Sequence, residues 1–248
     1  MTRPIAVPEG SGRRGLAASL LVLIGSIGAA SAGDRALLDV IGYSPDGRHF
    51  AFEEFGIQDG SGFPYSAIYV VDLVTDSWVT GTPVRVLEQT DGASVPMART
   101  TARADVAPIL SNLAIETPAE TLALIGDGIE DDAQSLLFGT PGYNPGATEG
   151  AYELMLEHFP VAAASPCADW FGQEALGYRL TLSGDGPERV LHEDDAVPRS
   201  RGCPFTYRLH SVHIPFGTLD LEAGVAIIAS YPGGFEGPDR RFLAVPLR

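Results

Sequence analysis

Carboxylates and aromatic rings crowd into one short stretch of the chain, and they are the first residues to consider for chemistry. Glu53 and Glu54 are consecutive in an alternating segment that predicts a strand, so one of them should point toward the core or a cleft. The Gly-rich loop of residues 58–65 follows and adds polar groups and two rings. Such a loop could carry recognition, or its rings could simply pack around a structural turn. The candidate recognition residues are Glu53, Glu54, Asp59, Phe63 and Tyr65.

Paired carboxylates could also hydrolyse a substrate. A glycoside hydrolase needs two of them about 5–9.5 Å apart, and sequence alone does not exclude such a pair among Glu53, Glu54 and Asp59. Other enzyme motifs are missing: there is no G-x-S-x-G, no dinucleotide fingerprint follows a strand, and H-E-x-x-H fails because position 196 is Ala. The sequence therefore favours a non-enzymatic binding or interaction module, with no catalytic motif and no cofactor, over a carboxylate-dependent hydrolase.

Metal binding is a third hypothesis. The acidic clusters at residues 127–132 and 192–195 could offer oxygens to Ca²⁺ and stabilise a structural protein, or they could be solvated turns. His210 and His213 are three residues apart, a spacing that sends strand side chains to opposite faces and so disfavours a metal pair. We predict no specific metal ligand.

The charge of the chain excludes several function classes. There are 32 acidic residues against 16 basic ones, a net charge of −16, and every basic residue is an arginine. Without lysine there is no Schiff base and no phosphate-loop lysine. A strongly acidic chain is also unsuited to nucleic acid. Acidity of this kind keeps an exported protein soluble, and the expected partner is an envelope protein or a small ligand.

The N-terminus predicts export. Three arginines precede an uncharged apolar run at residues 16–30, which is shorter than the ~20 residues of a membrane span. Ala30-Ser31-Ala32 then supplies a cleavage site, so residues 1–32 are predicted to be a cleaved signal peptide. The expected location is periplasmic or secreted, by the Sec route, although Arg13-Arg14 leaves twin-arginine export open. No membrane span is expected after cleavage.

Cys167 and Cys203 are the only cysteines. In an oxidising compartment such a pair predicts a disulfide, and closing its loop would contribute roughly 4 kcal/mol by chain entropy. Two free buried thiols or a catalytic thiol are the alternatives.

The pattern of the remaining chain predicts one mainly β domain over residues 33–248. Many short alternating segments favour an antiparallel sandwich or a partial propeller-like meander, with a small β-propeller with decayed blades as the alternative. One helix is predicted near residues 99–113, kinked or split at Pro108. The Gly/Pro-rich residues 139–150 predict either a linker or a hairpin loop.

Two segments resemble known repeats. Residues 41–52, with Ser44-Pro45-Asp46-Gly47 as a tight turn, resemble the first hairpin of a WD40-like repeat from the periplasmic Tol-system propeller, and residues 68–73 resemble its third strand. The pattern occurs once, whereas a propeller needs repetition, so it indicates a stand-alone meander.

A fuller resemblance covers most of the mature chain that is predicted to follow the signal peptide. It rests on residues 50–56, 58–65, 68–72 and 81–83, and later on residues 177–180 and 200–204. These segments resemble the bacterial predicted secreted proteins of domain-of-unknown-function family 2259. The resemblance implies export and carries over no activity, substrate or catalytic residue.

Overall fold

The structure is a computed structural model that describes residues 33–126 and 133–248. The predicted signal peptide at residues 1–32 and the acidic turn at residues 127–132 lie outside the described residues. Within the described residues, no helix is long and apolar enough to cross a membrane.

Thirteen strands and two α-helices form in the described residues, joined by 3₁₀ turns at Arg199–Arg201 and Leu221–Ala223. Their bounds are β1 Leu37–Tyr43, β2 His49–Ile57, β3 Pro64–Asp72, β4 Ser77–Trp78, β5 Val84–Leu87, α1 Val95–Asn112, β6 Ala119–Leu124, β7 Ser135–Pro141, β8 Thr148–Pro160, α2 Cys167–Phe171, β9 Leu176–Ser183, β10 Arg189–Glu193, β11 Pro204–Pro215, β12 Val225–Pro232 and β13 Arg241–Pro246.

The strands form three antiparallel sheets, so the prediction of a mainly β antiparallel fold is confirmed. The N-terminal sheet has the order β1-β2-β3-β4, with β5 also paired to β3. The outer sheet has the order β10-β9-β8-β7, and the middle sheet has the order β13-β12-β11-β6. The first three strands form the meander that residues 41–73 predict.

The middle sheet is buried on both faces. On β12, Val225 and Ile227 pack with the N-terminal sheet, whereas Ala226 and Ile228 pack with the outer sheet. A strand covered on both sides can be apolar at every position, which explains the unbroken apolar run of β12. The sheets therefore stack as layers, and the alternative of a β-propeller is wrong because its blades would be arranged around an axis instead of face to face.

Helix α1 covers the free face of the N-terminal sheet. Its Ala102 and Val106 pack against Ile68 and Val70 of β3. The helix begins at Val95, near the helix-compatible Pro96, and runs without interruption through Pro108. Of the two predicted outcomes, a kink or a split at Pro108, the split is therefore wrong, because packing of the apolar face against the sheet holds the helix on both sides of the proline.

Two further expectations are settled by the structure. The disulfide between Cys167 and Cys203 is present, with Cα atoms 5.5 Å apart. Residues 139–150 form the hairpin that joins β7 to β8, so they are not a linker. The short helix α2 was not predicted, since five residues carry too little periodicity to indicate a helix.

Candidate functional site

Glu53 and Glu54 are both buried, with 0% and 1% of their surface exposed. They alternate on β2, so their side chains enter opposite faces of the N-terminal sheet. We expected only one of them to face inward. Both do, because α1 covers one face of this sheet and the middle sheet covers the other.

Glu53 lies on the face toward α1, where cations surround it. Arg99 Nε donates to its Oε1 at 2.9 Å, Arg103 Nη2 donates to its Oε2 at 2.7 Å, and Ser66 Oγ donates to Oε1 at 2.9 Å. Both arginines also pair with Asp39. Burial opposes ionisation of Glu53, but the hydrogen bonds from Arg99, Ser66 and Arg103 outweigh it and lower its pKa below the ordinary value.

Glu54 lies on the face toward the middle sheet. The backbone N–H of Phe242 donates to its Oε1, and the hydroxyl of Tyr69 donates to its Oε2 at 3.1 Å. Arg241 and Arg85 act on it through their charge without an ion pair. Burial dominates these effects and raises the pKa of Glu54 to about 7.

The other candidate residues lie in and after the loop. Tyr65 donates to Asp34 Oδ1 at 2.8 Å, and Asp59 accepts from the backbone N–H of Glu236 at 3.1 Å. Glu54 and Tyr65 line a common cavity of about 250 Å³, whereas Glu53, Asp59 and Phe63 are not among its lining residues. Glu53 and Glu54 cannot face each other across a substrate as a hydrolase pair, because a sheet separates them.

A second cavity adjoins this one. More arginines line it than line any other cavity described for the protein. It has a volume of about 320 Å³, and four arginines line it with Glu54 as its single carboxylate: Arg85, Arg199, Arg201 and Arg241. We call this cavity the arginine groove. In a chain with twice as many acids as bases, a quarter of the 16 arginines gather at one site. Such a concentration favours an anionic ligand.

The groove forms where the edges of the N-terminal and middle sheets meet. Arg85 comes from β5 and Arg241 from the edge strand β13, while Arg199 and Arg201 come from a 3₁₀ turn. The disulfide anchors that turn, since Cys203 lies two residues after it and the carbonyl of Cys203 accepts from Gly233 N–H at 3.0 Å. The arrangement thus depends on three separate parts of the chain.

Two of the four arginines are neutralised by carboxylates and two are not. Arg201 pairs with buried Asp194, and Arg241 pairs with Asp34 at 2.7 Å. Arg85 and Arg199 are exposed, and neither makes an ion pair with any described residue. Arg85 instead lies 5.8 Å from the ring centroid of Tyr69 and 6.0 Å from that of Trp78. Their charges are therefore available to a ligand.

Two uncharged groups complete the groove. Ser230 is 1% exposed, and its Oγ is the one buried side-chain polar atom in residues 33–126 and 133–248 without a hydrogen-bond partner. Ser230 lies opposite Arg241 in the β12–β13 register, which places both side chains on one face. Trp78 is 43% exposed and lines both the groove and a neighbouring cavity of about 290 Å³.

The sequence reasoning did not identify these arginines. Arg199-Ser200-Arg201 beside Cys203 is the one local hint, because a disulfide cysteine fixes the position of a neighbouring charge pair. Arg85 and Arg241 carry no such hint, and only the stacking of the sheets brings them together.

The spacing of His210 and His213 predicts opposite faces of the strand, but both rings contact one hydroxyl. That the two histidines form no metal pair stays a prediction. Nδ1 of His210 lies 2.9 Å and Nε2 of His213 lies 2.8 Å from the same hydroxyl, Ser211 Oγ. A register shift between Leu209 and Ser211 turns the strand locally, so the two rings do not simply alternate. His213 is 5% exposed, and burial, together with the charge of His210, lowers its pKa to about 4. Ser211 is 1% exposed, so this network is part of the interior.

The acidic cluster at residues 192–195 is occupied by protein groups. Asp194 accepts from Tyr178 N–H at 3.0 Å and pairs with His192 at 2.9 Å as well as with Arg201. In the part of the chain that the structure describes, no group of three or more His, Cys, Asp or Glu residues is placed to hold a metal ion.

The fold and site together define a layered β protein with an arginine-lined groove. The chain belongs to the family of predicted secreted proteins DUF2259, whose profile matches residues 51–248. The resemblance found in the sequence is thereby confirmed. No curated protein and no solved structure matches the chain.

Proposed function

We propose that the protein is a non-enzymatic binding module of the periplasm or the extracellular space, and that its ligand occupies the arginine groove. Residues 1–32 act as its signal peptide, by the Sec route. The observation that carries the proposal is the convergence of four arginines on one cavity of a strongly acidic chain.

The groups in the groove are suited to holding a ligand and not to transforming it. Arginine donates several hydrogen bonds in a fixed plane and does not give up its proton in a protein. Glu54 has a pKa suited to proton transfer, but it is buried and both its oxygens already accept protein hydrogen bonds. A carboxylate held in this way sets the charge under the groove without reaching a bound molecule.

The test is retention of a small molecule by the purified protein. The protein is equilibrated by dialysis against the small-molecule fraction of an envelope extract, and the enriched compounds are identified by mass spectrometry. We expect one compound class to be enriched, to be recovered with its mass unchanged, and to be lost when Arg85→Ala and Arg199→Ala are combined.

The control variant is Arg179→Ala, which removes a half-buried arginine on β9 that lies outside the groove and pairs with Glu193 at 3.0 Å. It should retain the compound as the unchanged protein does. Recovery of a chemically altered compound would show an enzyme, and equal retention by the groove variant would place the site elsewhere.

A further inference from the structure

We infer that the ligand of the arginine groove is a compact organic anion, which carries a single carboxylate or phosphate on an uncharged ring of about monosaccharide size. This inference rests on the proposed function and adds the chemical class of the ligand. The groups assigned to the anion are Arg85, Arg199 and the hydroxyl of Ser230, and the wall assigned to the ring is Trp78.

The unpaired charges indicate an oxyanion. Arg201 and Arg241 already have carboxylate partners, whereas Arg85 and Arg199 have none among residues 33–126 and 133–248. A guanidinium group matches the planar, two-oxygen edge of a carboxylate or phosphate. Two guanidinium groups without a carboxylate partner suit a single anionic group better than a run of anionic groups.

The buried hydroxyl of Ser230 is an independent indication of a ligand. Buried polar atoms in folded proteins nearly always have a hydrogen-bond partner, and one without a partner requires an explanation. Ser230 is one of the residues that line the groove, and it shares a face with Arg241, although its Oγ is itself buried. Rotation of this side chain toward the groove would let an oxygen of a bound molecule supply the missing partner.

The size of the groove argues for an organic body attached to the anion. A volume of about 320 Å³ is at the lower end of small-molecule pockets and much larger than a bare inorganic anion requires. Trp78 lines this cavity, and 43% of its surface is exposed overall. An indole in such a wall provides an apolar surface against which a ring can lie.

The charge of the whole chain argues against a long polyanion. With a net charge of −16, the protein repels an extended chain of negative charges at every point outside the groove. A molecule with one or two negative charges, by contrast, fits entirely inside the groove, where attraction to the nearby arginines dominates its electrostatic interaction with the protein.

The experiment is isothermal titration calorimetry at pH 7 with four probes: glucuronic acid, glucose 6-phosphate, glucose and inorganic phosphate. We expect one of the two sugar anions to bind at least tenfold more tightly than glucose and than inorganic phosphate. Binding of glucuronic acid would identify a carboxylate as the anion, and binding of glucose 6-phosphate would identify a phosphate.

Variants then test the assigned residues. Arg85→Ala and Arg199→Ala should each weaken the bound sugar anion about tenfold, and Trp78→Ala should weaken it by a smaller factor, while Arg179→Ala leaves it unchanged. Arg85 and Arg199 are exposed, so their loss leaves folding intact, which circular dichroism verifies.

Three results would overturn the inference: glucose binding as tightly as the sugar anions, inorganic phosphate binding as tightly as glucose 6-phosphate, or no effect of the arginine variants. If dialysis retains a neutral or cationic compound that requires Arg85, the binding function stands and the assigned ligand class is wrong. If dialysis retains nothing and no probe binds, both proposals fail.

Discussion

Glu53 and Glu54 are adjacent residues of the same type, equally buried, and their carboxyl groups have opposite properties. On the α1 face, hydrogen bonds from Arg99, Ser66 and Arg103 hold Glu53 ionised. On the groove face, Glu54 receives one backbone N–H and one hydroxyl, and its pKa rises to about 7. The comparison teaches that the element covering each face of a sheet, and not the sequence around a residue, decides what a buried carboxylate can do.

The two faces also differ in how completely their charges are satisfied. Around Glu53, every cation has a carboxylate partner, since Arg99 and Arg103 share Glu53 and Asp39. Around the groove, Arg85 and Arg199 have no ion pair with any residue that the structure describes. A satisfied network contributes to stability, whereas the uncompensated charges of the groove support the ligand binding that we propose.

The largest change in stability is expected when the charge of Glu53 is removed, and it would test the difference between the two faces most directly. Replacing Glu53 with Gln leaves Arg99 and Arg103 without their buried partner, and removing one member of such a network destabilises a protein strongly. Because both arginines remain partly exposed and keep Asp39, we expect a loss of about 3 kcal/mol in the free energy of unfolding. Urea denaturation at pH 7.5 measures it.

A matched control is Glu157→Gln, the same change at an exposed position of β8. It should alter the free energy of unfolding by no more than about 0.5 kcal/mol. An equally small effect of Glu53→Gln would show that the network around α1 does not stabilise the fold.

The stability that Glu54 contributes on the groove face should fall as the pH rises, which is the reverse of what a carboxyl group with a lowered pKa, such as Glu53, does. The pKa of Glu54 is raised from its ordinary value of 4.5 to about 7, so the protonated form is favoured by folding. The stability it confers is fully present below pH 4.5 and is lost as the pH rises toward 7. Between pH 5 and pH 8 the free energy of unfolding should fall by about 2 kcal/mol from this group alone.

Glu54→Gln isolates this contribution from the other titrating groups. The variant has no proton to lose, so the difference between it and the unchanged protein should grow in favour of the variant from pH 5 to pH 8. Urea denaturation of both proteins at four pH values tests this. Parallel curves would mean that Glu54 keeps an ordinary pKa.

The strands were predictable because their periodicity is local. The many short alternating segments predict strands from a pattern that each strand carries by itself, and β12 is a short apolar run of strand length. Elements without a period were missed, namely β5, which carries Arg85, and the short helix α2. Pro108 predicted a kink or a split in α1, yet the helix is continuous. A propensity acts on one residue, whereas the packing of Ala102 and Val106 against the sheet stabilises the whole helix.

The candidate site was only partly predictable, for a related reason. Two of the site residues stand out in the sequence. Glu54 is one of two consecutive carboxylates in a predicted strand, and Tyr65 is an aromatic ring at the end of the unusual loop that follows. Arg85, Arg199 and Arg241 lie far apart in the chain, and their meeting depends on how two sheets stack. No spacing rule predicts a contact of that kind. For the same reason, a sequence with a net charge of −16 does not indicate that a positively charged groove forms.

The smallest expected effect connects the two properties of the groove face, its carboxylate and its ligand. Ionised Glu54 attracts Arg241 and Arg85 and repels a bound anion, so glucuronic acid should bind more tightly once Glu54 is protonated. Glucuronic acid itself stays ionised over this range, because an ordinary carboxyl titrates near 4. We expect about fivefold tighter binding at pH 6 than at pH 8, measured by calorimetry, which corresponds to ~1 kcal/mol. Glu54→Gln should bind equally at both pH values. If that variant keeps the pH dependence, another group near the groove titrates instead, and Glu54 has only a packing role between the sheets.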